Sequence, residues 1–424
     1  MKDLKKQSEH FDVIVIGGGA SGIFAAGIAA QDGSRVLLLE KNTKLGEKLK
    51  ITGGKRCNIT NAEYDTRVLL KYYGSAEQFL YSAFAQFGVK DTFSFFESHG
   101  LPLVVQENKR AFPHTERAMD VYLVLEKFLK QGGVKIQNDT EVIRLEERQG
   151  FISAVITKKG DYTAHNYILA TGGQSHPETG STGDGFKWLA RLGHDVAKPT
   201  PSIVPLAVKE GWVKMLSGVS LSPMRISFFV NGQKKFTKLG KILFTHFGVS
   251  GPLILSNAKK VADLLHEGKV TAVIDAAPEM DAPALEEKIL KSFDANKNKM
   301  LKNIFDEIAP KGMGEAILSL LPDIDGAKKV HSVSRDERRQ IAALLKSLPM
   351  TITGLMGFDR AVVADGGVPL TEINTKTMQS KLFRNLYITG DLLHINRPTG
   401  GYSLQLCWTT GFVAGTNAGK HTGK

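Results

Sequence analysis

The chain has 424 residues, 42% of them hydrophobic, and its 55 Lys and Arg outnumber 43 Asp and Glu for a net charge of +12. That length predicts two or three domains rather than one, no apolar run is long enough to cross a bilayer, and the N-terminal cations lead straight into strand and glycines without a signal-peptide core. The two cysteines, Cys57 and Cys407, lie far apart with no metal-ligand spacing, which excludes a disulfide scaffold and a cysteine metal cluster and fits a cytoplasmic, reducing compartment, while the positive surplus favours anionic partners such as nucleic acid or a phosphate-bearing cofactor.

Phe11 to Ile16 (FDVIVI) is a short β-branched run, the pattern of a buried parallel strand. Gly17-Gly18-Gly19-Ala20-Ser21-Gly22 follows at once, then a small-residue helix, then a second strand, Arg35 to Leu39, that ends at Glu40 and Lys41. In this G-x-G-x-x-G unit Gly17 allows the tight turn and Gly19 lets backbone approach a pyrophosphate. Gly22 lets helix and strand pack closely, and the helix start offers free N–H groups to phosphates. Glu40 is placed to accept from ribose hydroxyls. The strand–turn–helix–strand–acid context predicts a dinucleotide site.

The next stretch, GEKLKITGGKRCNITN (Gly46 to Asn61), combines glycines, four cations, two asparagines and a thiol. We read it as a wall around an anionic, planar cofactor. Gly53 and Gly54, after Thr52, let amides approach a ring closely. Lys48, Lys55 or Arg56 would offset negative charge. Asn58 and Thr60 would fix the loop or bond the ring. Cys57 is either a small buried filler or, beside Lys55 and Arg56, a thiol of lowered pKa able to give a proton.

Tyr167 to Ala170 is a strand ending in Thr171-Gly172-Gly173. From about 195 the pattern turns to short strands, with Asn231-Gly232 a hairpin signal. Lys234, Lys235, Lys238 and Lys241 form a run without acids, either a solvated strand face or a surface for an RNA or nucleotide phosphate backbone. Residues 282–346 carry helical periodicity. Gly312 and Gly314 follow no strand, so a second full nucleotide fold is not expected, and NAD(P)H would dock transiently. Late in the chain Leu386 to Thr389 forms a strand ending in Gly390-Asp391, and Gly400-Gly401-Tyr402-Ser403 follows. His246 and His394 sit in loops, as acid–base candidates or as structural residues. Cys407 reads as core at helical spacing.

The strand-then-ATGG and strand-then-GD pattern resembles the FAD-binding domain of the two-dinucleotide flavoproteins, where a late acid holds the ribityl chain. Across nearly its whole length the chain is similar to the BaiN/RdsA-type flavoproteins, NAD(P)/FAD-dependent oxidoreductases: in Gly46–Asn61, ENKRAFP (Glu107 to Pro113), ATGGQSHPETGSTGDGFKWLARLG (Ala170 to Gly193), THFGVSGP (Thr245 to Pro252), KTMQSK and TGGYS. It departs where that family reads GE.LD.DG: here Asp391 keeps an acid, and His394, Asn396 and Arg397 change the loop's charge.

The expected fold is α/β, a Rossmann-type, glutathione-reductase-like FAD-binding domain (1–194 and 351–424) with an inserted β-barrel or sandwich (195–280) and a helical cap (281–350). The resemblance implies FAD as resident cofactor, bound by Gly17, Gly19, Ala20, Ser21, Gly22, Glu40, Lys41, Lys48, Thr52, Gly53, Gly54, Arg56, Asn58, Thr60, Ala170, Thr171, Gly172, Gly390, Asp391, Gly400, Gly401, Tyr402 and Ser403. Cys57, His246 and His394 are the candidate proton donors. The implied activity is hydride delivery to a uracil of ribosomal RNA, with steroid enone reduction or amine oxidation as the alternative class.

Overall fold

Strand β1 (His10–Ile16) is buried from Val13 onward and runs parallel to β2 (Val36–Leu39), as its unbroken apolar run requires. These are the central strands of a seven-stranded sheet. Lys135–Gln137 lies beyond β2, and the long strand Gly160–Leu169 lies on the other side of β1, with Leu386–Ile388 parallel to it. The first half of Gly160–Leu169 also carries an antiparallel meander, Val142–Arg148 and Phe151–Thr157. The computed structural model describes residues 10–31 and 33–420.

Helix α1 (Ala20–Gln31) has no solvent stripe: Ser21 through Ala30 are all buried. Its partner is the last helix, Tyr402–Gly419. Gly411, Gly415 and Gly419 meet the carbonyls of Ser21, Ala25 and Ala29, and a Cβ on Gly415 would lie 2.5 Å from the Ala25 oxygen. Four-residue spacing places these glycines on one face, so the two helices approach through backbone. This contact draws the C-terminus against the nucleotide turn.

The chain divides into two units, one running to Pro201 and resuming at Val362, the other Ser202–Ala361. The first boundary falls later than the expected 195 because Ala197–Pro201 pairs with Ala364–Gly367 and so stays with the Rossmann unit. In Ser202–Ala361 the alternative of barrel or sandwich resolves to a closed six-stranded barrel. Asn231 and Gly232, at φ 49° and 82°, form the expected hairpin turn between Ser220–Val230 and Gln233–Thr245. The helices of 281–350 do not form a core of their own. Leu285, Ile289, Phe293, Ile341 and Leu345 share one apolar cluster with barrel residues Ile226, Phe228 and Phe244. Ala282–Ala295 and Arg335–Lys346 are capped by Asp281 and by a Ser334–Glu337 capping box. Within the stretch of helical periodicity, residues 301–308 form only the short turns Leu301–Asn303 and Phe305–Ile308. Among the described residues no helix is long and apolar enough to cross a membrane.

Candidate functional site

β1, Gly160–Leu169 and Leu386–Ile388 are parallel and end together, at Gly17, Ala170 and Gly390. Ligands of open α/β sheets bind outside such carboxyl ends. Gly17 turns at φ 105°, where a Cβ would strike the Ala170 carbonyl at 2.6 Å; a Cβ at Gly22 would lie 1.9 Å from the Gly17 oxygen. By contrast nothing lies within 4 Å of a Cβ at Gly19. The outer two glycines are therefore fixed by protein packing, and the middle one opens onto space at the start of α1, whose first turn carries no acid. That space, the free N–H groups and the helix dipole suit a diphosphate.

Glu40 lies at the side of this crevice. Its carboxylate accepts the Gly18 N–H at 2.7 Å and the Asn42 N–H at 2.8 Å. Burial raises its pKa, while those N–H groups and the Lys41 charge pull it down. Lys41 itself donates to Thr182 Oγ1 at 2.6 Å and Asp184 Oδ2 at 3.0 Å. Burial works to raise the Asp184 pKa, but the bonds from Thr182, Lys41 and Lys187 prevail and hold it at about 2. Lys41 thus joins β2 to the 171–184 loop.

Gly46–Asn61 folds into α2 (Glu47–Lys55), which is broken at Thr52, Gly53 and Gly54. Gly53 adopts φ 57°, and a Cβ there would press on the Asn58 N–H at 3.0 Å. Thr52 Oγ1 donates to the Leu49 carbonyl, and the Cys57 N–H returns to the Thr52 carbonyl. Cys57 is fully buried, and that burial pushes its thiol up to about 12. The lowered pKa expected from Lys55 and Arg56 is not found. Arg56 turns away to Gln106 and Glu116 and stacks over Phe112 at 4.2 Å. Cys57 is a neutral thiol at physiological pH.

Asn58 and Thr60 hold the loop to the last helix. With its amide oriented to satisfy both ends, Asn58 donates to the Thr60 and Ala111 carbonyls and accepts the Gly401 N–H at 3.0 Å. Thr60 Oγ1 donates to Gln405 Oε1 at 2.6 Å, Thr92 Oγ1 donates to the same oxygen at 2.9 Å, and Gln405 Nε2 donates to Thr409. The Thr60 hydroxyl is engaged inside the protein. Asn61, which the sequence reading did not single out, bonds the Asn108 and Gly400 carbonyls through Nδ2, while its buried Oδ1 and the Thr171 hydroxyl have no partner.

Lys48 takes a different course from the other loop cations. It is half-buried and donates to Ser181 Oγ at 2.7 Å and Ser175 Oγ at 3.3 Å. Desolvation lowers its pKa, and Asp391 opposes this. Asp391 is paired with Arg397, which also donates to Ser403 Oγ at 3.0 Å and the Ile395 carbonyl at 2.8 Å. Gly390 carries the next contact inward: its N–H donates to Thr410 Oγ1, and a Cβ on it would meet Ser21 Oγ at 3.0 Å. Gly172 and Gly173 pack on Ser181 and Asp391. Tyr402 starts the last helix, its carbonyl bonded by Tyr73 and its ring 4.8 Å from Tyr72. Cys407 lies in that helix, its thiol pushed up to about 12 by burial.

The proton-donor candidates divide. His394 is in the Rossmann unit, 43% exposed, with Nε2 3.5 Å from Asp365 Oδ1. His246 is exposed at the turn between Gln233–Thr245 and Gly248–Ser250, in the other unit. Ser175, Ser181 and Gln405 are site-forming residues that the sequence alone did not single out: Lys48, Thr60 and Thr92, which they meet, lie far away in the chain, so spacing carried no signal for them. Arg397, met in the sequence only as a change in loop charge, bonds locally to Asp391, Ile395 and Ser403.

The turn, the acid and the paired loops define a Rossmann-fold flavin site, and the residues fit an FAD diphosphate at α1. The profile of the HI0933-like protein Rossmann domain family matches residues 11–417, and the chain belongs to that family. It is similar to the 3-dehydro-bile acid delta(4,6)-reductase of Clostridium scindens, 31% identical over 95% of this chain and 98% of the relative. It is similar to the ribosomal RNA dihydrouridine synthase of Haemophilus influenzae, 29% identical over 96% of this chain and 98% of the relative. In fold it is similar to the 3-ketosteroid-delta4-(5alpha)-dehydrogenase of Rhodococcus jostii RHA1, with a TM-score of 0.56 at 15% identity and 99% of each chain covered. The protein is an FAD-dependent oxidoreductase of this family.

Proposed function

We propose that the chain uses FAD to deliver hydride to an electron-poor C=C bond, most specifically the uracil of a uridine in 23S ribosomal RNA, with NAD(P)H as transient electron donor, in the cytoplasm. Hydride would go to C6 and a proton to C5, giving dihydrouridine. Bound FAD supplies the hydride chemistry. The chain's own groups supply the rest: α1 and Lys48 meet anionic charge, Glu40 offers acceptors to a ribose, and Asn58 and Gln405 hold the loops in place. A histidine suits the proton step better than Cys57, whose neutral thiol is a weak acid at pH 7.

The observation that carries the RNA reading is charge: the +12 surplus together with Lys234, Lys235, Lys238 and Lys241, all exposed on Gln233–Thr245. Cations on one strand are placed to follow a phosphate backbone. The second reading, reduction of a small-molecule enone, is favoured by the 31% identity to the bile-acid reductase. The test is the dihydrouridine content of 23S rRNA, by mass spectrometry, in the host with and without this gene. Loss of one dihydrouridine, restored by the wild-type chain, supports the RNA reading. Unchanged rRNA sinks it and directs the search to conjugated ketones.

A further inference from the structure

The strand ends collect three charges whose sum matters. Lys48 is pinned between the hydroxyls of Ser181 and Ser175, Asp391 faces it, and Arg397 pairs with Asp391 from behind. The Arg397 side chain is 1% exposed and that of Asp391 19%. Each kind of nitrogen on Arg397 has a partner: Nε on Ser403, Nη1 on the Ile395 carbonyl and Nη2 on Asp391. A guanidinium held this way keeps its place against Asp391. The cluster is next to the start of α1, because Gly390 packs on Ser21 and Thr389 donates to Ser21 Oγ at 3.2 Å.

We propose that Arg397 sets the redox potential of this site: by neutralising Asp391 it leaves Lys48 and the α1 dipole as a positive field that Glu178 offsets only in part, which favours the more negative, reduced state of a bound flavin. The inference rests on the flavin reading above. Its physical basis is simple. In a water-poor site an unpaired carboxylate repels added negative charge, and a carboxylate paired with a guanidinium does so far less. Arg397 is therefore a positioning and charge-setting residue, not one that need touch substrate.

The two ends of one ion pair then move the potential in opposite directions. The experiment is anaerobic spectroelectrochemistry of FAD-loaded protein for wild type, Arg397→Gln, Asp391→Asn and the double variant. Arg397→Gln is expected to weaken the binding of reduced relative to oxidised FAD at least tenfold, a drop of about 30 mV for a two-electron couple. Asp391→Asn is expected to raise the potential by a similar amount, and the double variant to return to within half that shift of wild type. A purely structural role would move both single variants the same way or leave both unchanged, and either result overturns the proposal. Should Arg397→Gln fail to fold, Asp391→Asn against the double variant still decides the sign. Wild-type protein that binds no FAD would overturn the flavin reading itself, a distinguishable failure.

Discussion

Glu40 and Gly18 are joined by a 2.7 Å hydrogen bond across 22 residues, so the acid that ends β2 is fixed by the glycine turn that follows β1. Both carboxylate oxygens are used, since Asn42 bonds the other. Because burial raises this pKa, the fold favours the protonated acid. The native state then holds more protons than the unfolded chain just above pH 4.5, and stability falls as pH rises through that window, levelling off above the folded pKa. Glu40→Gln removes this slope and turns an amide NH2 toward one backbone donor. We expect a flatter melting temperature just above pH 4.5 and FAD affinity lowered about tenfold, the scale of one charge-assisted hydrogen bond; thermal melts and flavin titration read the two effects.

Cys57 and Cys407 both sit at about 12. A raised thiol pKa opposes ionisation in the fold, so each thiol lowers stability as pH rises from 9 toward 12 and leaves it unaffected below. Native protein is expected to resist alkylation by iodoacetamide at pH 8, and urea-unfolded protein to take up two equivalents. A Cys57→Ala, Cys407→Ala variant should lose less stability per pH unit above pH 9, by up to about 1.4 kcal/mol per thiol.

Gln405 binds Thr60, Thr92 and Thr409 in a fully buried network. Gln405→Leu leaves those hydroxyls without their amide. We expect a loss of about 1–3 kcal/mol in urea unfolding, since the hydroxyls of Thr60, Thr92 and Thr409 lose the amide but keep the backbone carbonyls of Asn61, Gly88 and Phe87, and the variant should lose FAD with it because the Asn61 and Gly400 loops lean on this helix.

Lys234, Lys235, Lys238 and Lys241 are exposed, and Lys235 pairs with Glu267 at 2.7 Å. The pairing of Gln233–Thr245 with Gly248–Ser250 is confined to residues 243–245, so the lysines also lie along a strand margin, where charge discourages edge-to-edge association. Changing all four to Glu should leave the melting temperature within a few degrees. On the RNA reading it should also weaken 23S rRNA binding and reduce the magnitude of its log–log salt slope by about 3. Aggregation with unchanged RNA affinity would assign the lysines to strand protection instead.

Local chemistry was legible in the sequence. Gly17, Gly19, Gly22 and Glu40 stand in the turn that their spacing predicted, and the Asn231-Gly232 hairpin is formed. What spacing could not show is who answers whom across the fold. Thr60 reads as either a loop tie or a flavin contact until Gln405 appears 345 residues away and takes its hydroxyl. Cys57 reads as either a small buried filler or a thiol activated by adjacent cations; Arg56 points elsewhere, the side chain is fully buried and burial governs the thiol, which agrees with the filler. The C-terminal glycines read as nothing until α1 packs on them.

The central claim is that bound FAD carries hydride to a conjugated C=C. The direct measurement is the flavin absorbance of purified protein, bleached anaerobically by NAD(P)H and then mixed with unmodified 23S rRNA or a 4,6-dienone steroid. The oxidised spectrum is expected to return with one of them, in step with formation of dihydrouridine or of the saturated ketone. A reduced flavin that neither substrate reoxidises, while oxygen does, would contradict it.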